Sequence, residues 1–206
     1  WGGAIRGATG GGLIEFLQDG DRNARSSAKL INAQKMGIRV KVRLSGSGNC
    51  SVYPRYQLSG GSGDNHHQSG FAAARLVLVQ GATAKLRFYS GASGAGGNGE
   101  DSGFYRQVDL GGSNLPANEW LLVTVTLEDN VDDEETEGTN IGYRVKIINL
   151  DDDDAVIVNT TGVYNHSKAL GVRLSALTDN TCYVVIRGRE GAGTAEMDNF
   201  EVVTRS

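Results

Sequence analysis

Ile38-Arg39-Val40-Lys41-Val42-Arg43-Leu44 decides the fold. Apolar residues take the even positions and cations the odd ones, a period of two that only an extended strand turns into one buried and one wet face. The same alternation returns in Trp120 to Leu127 and in Ile141 to Leu150, on either side of an acidic stretch, and again in Met197-Asp198-Asn199-Phe200-Glu201-Val202-Val203. Leu13 to Leu17, Ser27 to Asn32, Cys50 to Ser59, Phe104 to Leu110, Ala155 to Asn159, Leu170 to Leu177 and Thr181 to Arg187 read as further strands. Phe71 to Val79 and Ala84 to Ser90 read as a hairpin around Gln80-Gly81-Ala82-Thr83, and Pro54 marks an edge or a bulge in its strand. About a dozen one-faced strands with no helical period must pair and stack, which predicts an all-β, two-sheet antiparallel sandwich.

The 206 residues suit one domain over 1–206, with a glycine-rich segment, 1–17, available for edge or subunit packing. Thirty glycines without a three-residue period indicate turns and long loops, Gly60 to Gly70 and Gly91 to Gly103 above all. No apolar run is long enough to span a bilayer as a helix. The chain starts at Trp1 without an initiator Met, as a processed mature protein or an excised domain would, and a secreted or cell-surface location is expected. Cys50 and Cys182 fit either one long-range disulfide, as in a secreted protein, or two buried thiols.

The net charge of −4 hides a segregation. Residues 128–137 and 151–154 hold 11 of the 24 acids and none of the 20 bases, which leaves the rest of the chain at a formal +7. Arg39, Lys41, Arg43, Arg75, Arg87 and Arg106 fall on the polar side of expected strands, with Tyr56 and Tyr89 near them. Gathered on one sheet face they make a cationic platform, because guanidinium groups hold carboxylate or sulfate in pairs of hydrogen bonds and tyrosines stack on sugar rings. The acidic loops and the absence of a nucleic-acid-binding motif argue against nucleic acid as the partner. Asp19, Asp21 and Asn23 have the alternating oxygen spacing that calcium uses, without the glycine and glutamate of an EF-hand, and Asp151 to Asp154 offer a second cluster. Asp-Gly turn chemistry explains the first set equally well.

Asn118-Glu119-Trp120 opening a Val/Thr strand, the acidic turn, Tyr143-Arg144-Val145-Lys146-Ile147 and the closing Met197-Asp198-Asn199-Phe200-Glu201-Val202 together resemble the bacterial laminin-G-like, concanavalin A-like jelly rolls. The resemblance spans roughly residues 27–203 and implies a jelly-roll topology. It also implies a structural calcium between the first and last strands, adding Asp198 to the ligand set. Arg55-Tyr56-Gln57, His66-His67-Gln68 and Gly162-Val163-Tyr164-Asn165-His166 resemble segments of alginate lyases, whose R-x-E-L and Q-I/V-H strands are missing here.

Three functions follow as expectations. The first is a non-catalytic, extracellular, lectin-like sandwich that binds an anionic polysaccharide and carries calcium. The second is a structural subunit that adds an edge strand to an identical neighbour and builds a filament, surface layer or matrix. The third is a polysaccharide lyase, in which His66, His67 or Tyr164 moves the proton while Arg55 and Gln57 neutralise a uronate carboxylate.

Overall fold

The computed structural model describes residues 14–16, 23–26, 35–46, 48–58, 71–89, 106–129, 140–165, 183–188 and 194–205. Ser27 to Asn32 and Leu170 to Leu177, expected as strands, lie outside them. Within the described residues there are twelve strands and no helix: β1 (Ile14–Phe16), β2 (Asn23–Ser26), β3 (Lys35–Ser45), β4 (Asn49–Leu58), β5 (Phe71–Val79), β6 (Lys85–Tyr89), β7 (Arg106–Asp109), β8 (Trp120–Asp129), β9 (Asn140–Asn149), β10 (Ala155–Asn165), β11 (Tyr183–Gly188) and β12 (Thr194–Arg205). They form a seven-stranded sheet in the order β1-β2-β11-β4-β5-β6-β7 and a five-stranded sheet in the order β10-β9-β8-β3-β12, with antiparallel pairing throughout.

Alternation converts directly into the core. Ile38, Val40, Val42 and Leu44 of β3 are fully buried, as are Leu121, Val123, Val125 and Leu127 of β8. They face Leu76, Leu78, Leu86 and Phe88 from the larger sheet. Removing that apolar surface from water is the main stabilising term of the sandwich, and the even spacing of the run at 38–44 already fixes which atoms supply it.

The expected β5–β6 hairpin forms, and Gly81 carries the positive φ of 74° that its tight turn requires. Pro54 has no N–H to give to a ladder, and the register of β4 slips between Val52 and Arg55. β10 departs from expectation by running on to Asn165, so that Gly162-Val163-Tyr164 is strand and not turn. Tyr164 therefore alternates into the core, where its ring stacks on Phe88 with centroids 4.4 Å apart and planes within 9°. The neighbouring Tyr143 ring lies over Gly162, where any added Cβ would fall 2.3 Å from the Tyr143 hydroxyl.

The acidic 151–154 segment is the turn between β9 and β10. Asp151 Oδ2 accepts the Trp120 N–H at 2.7 Å, Asp152 O accepts the Ala155 N–H at 2.8 Å, and Asp153 and Asp154 adopt left-handed φ values of 46° and 58°. Asn149, buried beneath this turn, donates from its amide to Glu119 and accepts the Asp151 N–H at 3.1 Å. The turn thus fastens the start of β8 to the end of β9.

Truncating the stacked pair tests this packing. Tyr164→Ala is expected to cost about 3–5 kcal/mol, in the range of large aromatic truncations, read as a lowered urea midpoint, while Tyr164→Phe keeps the stacked ring and most of the stability.

Candidate functional site

The two outer faces of the sandwich carry different chemistry, and the sheet assignment divides the expected cationic platform between them. Arg39, Lys41 and Arg43 are on β3 and face outward from the five-stranded sheet, whereas Arg75 on β5 and Arg87 on β6 face outward from the seven-stranded sheet. Arg106 pairs with Phe88, one position out of phase with the Arg75–Arg87 row. Alternation reports which side of its own strand a residue takes; it does not report which sheet that strand joins.

On the smaller sheet three β3 cations stand opposite an acid of β12, Arg43 against Glu196, Lys41 against Asp198 and Arg39 against Glu201, while Lys35 at the start of the strand pairs with Arg205 of β12 and Glu128 of β8. Arg43 is ion-paired to Glu196 and lies over the Trp120 ring at 4.8 Å, and Arg39 reaches Glu201 at 3.7 Å. These are cross-strand charge pairs of the ordinary kind, each worth a fraction of a kcal/mol up to roughly 1 kcal/mol.

The outer face of the seven-stranded sheet is built differently. Arg75 is only 3% exposed although it points away from the core. Its Nε donates to Ser51 Oγ at 2.7 Å, and its guanidinium carbon lies 5.8 Å from the centre of the Tyr53 ring. The β4 slip makes this possible by setting both Tyr53 and Pro54 opposite Arg75. Next along the row, Arg87 Nε donates to Gln107 Oε1 at 3.0 Å, and Gln107 Nε2 donates to Asp109 Oδ1 at 3.1 Å. One register row further, Tyr183, Tyr56, Ala73 and Tyr89 stand side by side on β11, β4, β5 and β6. The face therefore combines half-buried guanidinium and amide donors with three tyrosine positions around a small alanine, an arrangement suited to gripping a carboxylate on a sugar ring.

Behind this face Cys50 points into the core as a free thiol. Burial pushes it up to about 12, with the positive charge of Arg75 pulling the other way. Across the ladder Cys50 pairs with Gly188 of β11. Cys182 itself lies outside the described residues.

The remaining expected residues do not converge. Arg55 and Gln57 stand in register with Ala74 and Ala72, in the phase of the core-facing Ala74, and Tyr164 is in the core at 2% exposure. His66 and His67 lie outside the described residues, as do Asp19 and Asp21. Asn23 pairs with Arg187 in the larger sheet, whereas Asp198 pairs with Lys41 in the smaller one and its Oδ1 accepts the Asn199 N–H at 2.8 Å. Asn23 and Asp198 thus belong to different sheets, and among the described residues no three His, Cys, Asp or Glu side chains gather as a metal site. Reading the sequence missed Ser51 as the partner of Arg75, Gln107 as the partner of Arg87, and Asp109 as the acceptor behind Gln107. Gln107 and Asp109 alternate with Val108 in a four-residue strand too short to give a phase, and Ser51 lies just before the register shift of β4.

No protein-family model matches the chain, and no curated protein matches its sequence. Solved structures do match. Alginate lyase vAL-1 from Chlorella virus superposes with a TM-score of 0.50 at 10% identity, covering 96% of this chain and 90% of that one. The PL-14 alginate lyase from Aplysia kurodai gives 0.49 at 12% identity over 94% and 80%, and the Bacillus licheniformis beta-glucanase 0.40 at 10% over 89% and 71%. The fold is that of the concanavalin A-like jelly-roll sandwiches. The non-catalytic lectin-like reading is corrected here. The Chlorella virus sandwich matched along nearly its whole length is a carbohydrate-active enzyme, and the chain's own larger sheet buries a guanidinium where a stacking platform would expose it. Among the described residues no helix is long and apolar enough to cross a membrane.

The Cys50 thiol gives a pH test with a definite sign. The unfolded chain releases this proton near 9.0 and the folded one near 12, so the folded state holds the extra proton between those values. Its contribution to stability is complete below the lower value and is lost as pH rises across the window. Peptide-resolved alkylation at pH 8 is expected to leave Cys50 untouched in the folded protein and to modify it on unfolding. Equal labelling rates in the two states would contradict the burial.

Proposed function

We propose that the protein is a polysaccharide lyase that cleaves a uronate-containing glycan on the outer face of its seven-stranded sheet. The observation that carries this reading is the Arg87–Gln107 pair, a hydrogen-bonded, half-buried donor set on the same outer face as the buried Arg75. A uronate carboxylate bound there has its charge neutralised, which lowers the pKa of the adjacent C5–H and stabilises the enolate-like species formed when that proton leaves. A phenolate from the Tyr56 or Tyr89 position takes the C5 proton and becomes the phenol. The C4–O bond breaks as the C4=C5 double bond forms, and the departing oxygen takes up a proton. Arg75 is a positioning residue that acts through Ser51 and Tyr53.

Chemistry also separates this from glycan hydrolysis. A retaining glycanase needs two carboxyl groups about 5 Å apart. Among the described residues, the strands of this sheet carry two acids, Glu15 on β1 and Asp109 on β7, at opposite edges. The alginate lyases among the similar folds agree with the reading without carrying it, since fold alone does not specify activity.

The test is ultraviolet absorbance of the unsaturated uronate released from alginate and from polygalacturonate. Wild type is expected to generate it on one of these polymers, and Arg87→Ala to lower kcat/KM by about 100-fold or more, the scale of losing one transition-state donor. A folded wild type that releases no unsaturated product from any uronate polymer, or an Arg87→Ala variant of full activity, overturns the proposal.

A further inference from the structure

Among the described residues, the outer face of the five-stranded sheet holds two cations with no acid beside them in the ladder. Arg39, Lys41 and Arg43 of β3 each face an acid on β12, as described above. On β9 the pattern breaks. Arg144 stands between Thr126 of β8 and Thr161 of β10, and Lys146 stands between Thr124 and Asn159. No carboxylate occupies a position beside either one in the ladder. Arg144, Thr161 and Asn159 are exposed, and Lys146, Thr124 and Thr126 are half-buried. Two residues along a strand span about 6.8 Å, so the two charges form a short row edged on both sides by hydroxyl and amide groups.

We infer that Arg144 and Lys146, with their threonine and asparagine flanks, form an accessory binding strip for an extended anionic polysaccharide, on the face of the sandwich opposite the proposed catalytic one. Charge complementarity selects the class of ligand: two cations with no acid beside them attract a polyanion, and the flanking hydroxyl and amide groups match the hydroxyls of a sugar chain. The strip leaves the reaction untouched and holds polymer close to the enzyme, which raises the local substrate concentration. The ligand class follows from this face alone and does not require that the other face be a lyase site.

Affinity electrophoresis through gels containing alginate or neutral dextran at low ionic strength tests it, with Arg87→Ala as the parent so that polymer is not consumed. Retardation by alginate and not by dextran is expected, weakening as salt screens the charges. Adding R144Q and K146Q to the parent is expected to weaken apparent affinity by about tenfold, the scale of two solvent-exposed ion pairs. In the otherwise wild-type protein the same two substitutions should leave release of unsaturated product from short oligosaccharides unchanged. Unaltered retardation after R144Q and K146Q overturns the inference. So does retardation that appears only once Asp132, Asp133, Glu134, Glu135 and Glu137 are neutralised, because the chain's own acids would then be the occupant. A wild type that releases no unsaturated product, yet whose parent variant is retarded by alginate and less so after R144Q and K146Q, speaks against the lyase reading and leaves the strip standing.

Discussion

The structure turns on one buried charge. Arg75 puts a guanidinium on the side of a strand that faces away from the core, yet it is as shielded from water as the core itself. A charge in that position is tolerated only when its donors are met, and Ser51 meets one of them directly. The irregularity of β4 at Pro54 serves the same requirement. Two residues, Tyr53 and Pro54, oppose Arg75 where a regular ladder would offer one, and Tyr53 lies under the guanidinium. Around Arg75, Ser51 and Tyr53 the larger sheet thereby acquires a patch shielded from water, where hydrogen bonds are stronger than in bulk solvent.

The contrast with the smaller sheet explains how one sequence of alternating strands produces two unlike surfaces. β3 and β12 exchange charges across the ladder, a solvated arrangement that keeps a sheet face soluble and discourages edge pairing. On β6 and β7 one opposite-charge pair, Lys85 across from Asp109, sits beside a chain of hydrogen bonds that runs from Arg87 through Gln107 to Asp109. Preorganised donors of this kind reorganise little when charge develops on a bound substrate, which is the property that separates a reactive surface from a merely wet one.

Much of the fold was legible in the sequence because strand alternation is local. The run at 38–44 announced its buried face, the Gln80–Thr83 turn its hairpin, and Pro54 its bulge. The candidate site was less legible, for reasons that are equally physical. Arg43 and Arg87 have the same local pattern, and only long-range pairing sends one to each sheet. Arg106 sits in a four-residue strand, too short for its phase to be read against Phe88. Tyr164 looked like a turn aromatic because Gly162 precedes it, yet that glycine makes room for Tyr143 within a continuous strand. The four aspartates at 151–154 suggested a cation, and their hydrogen bonds instead build the turn that holds Trp120.

A crystal structure of the protein with a uronate oligosaccharide bound would test the central claim most directly. The account predicts a sugar chain along the outer face of the seven-stranded sheet, with one carboxylate within hydrogen-bonding distance of Arg87 and Gln107 and a ring above Ala73. An oligosaccharide bound to the protein with that face left empty, and Arg87 still joined to Gln107 as it is here, would contradict it.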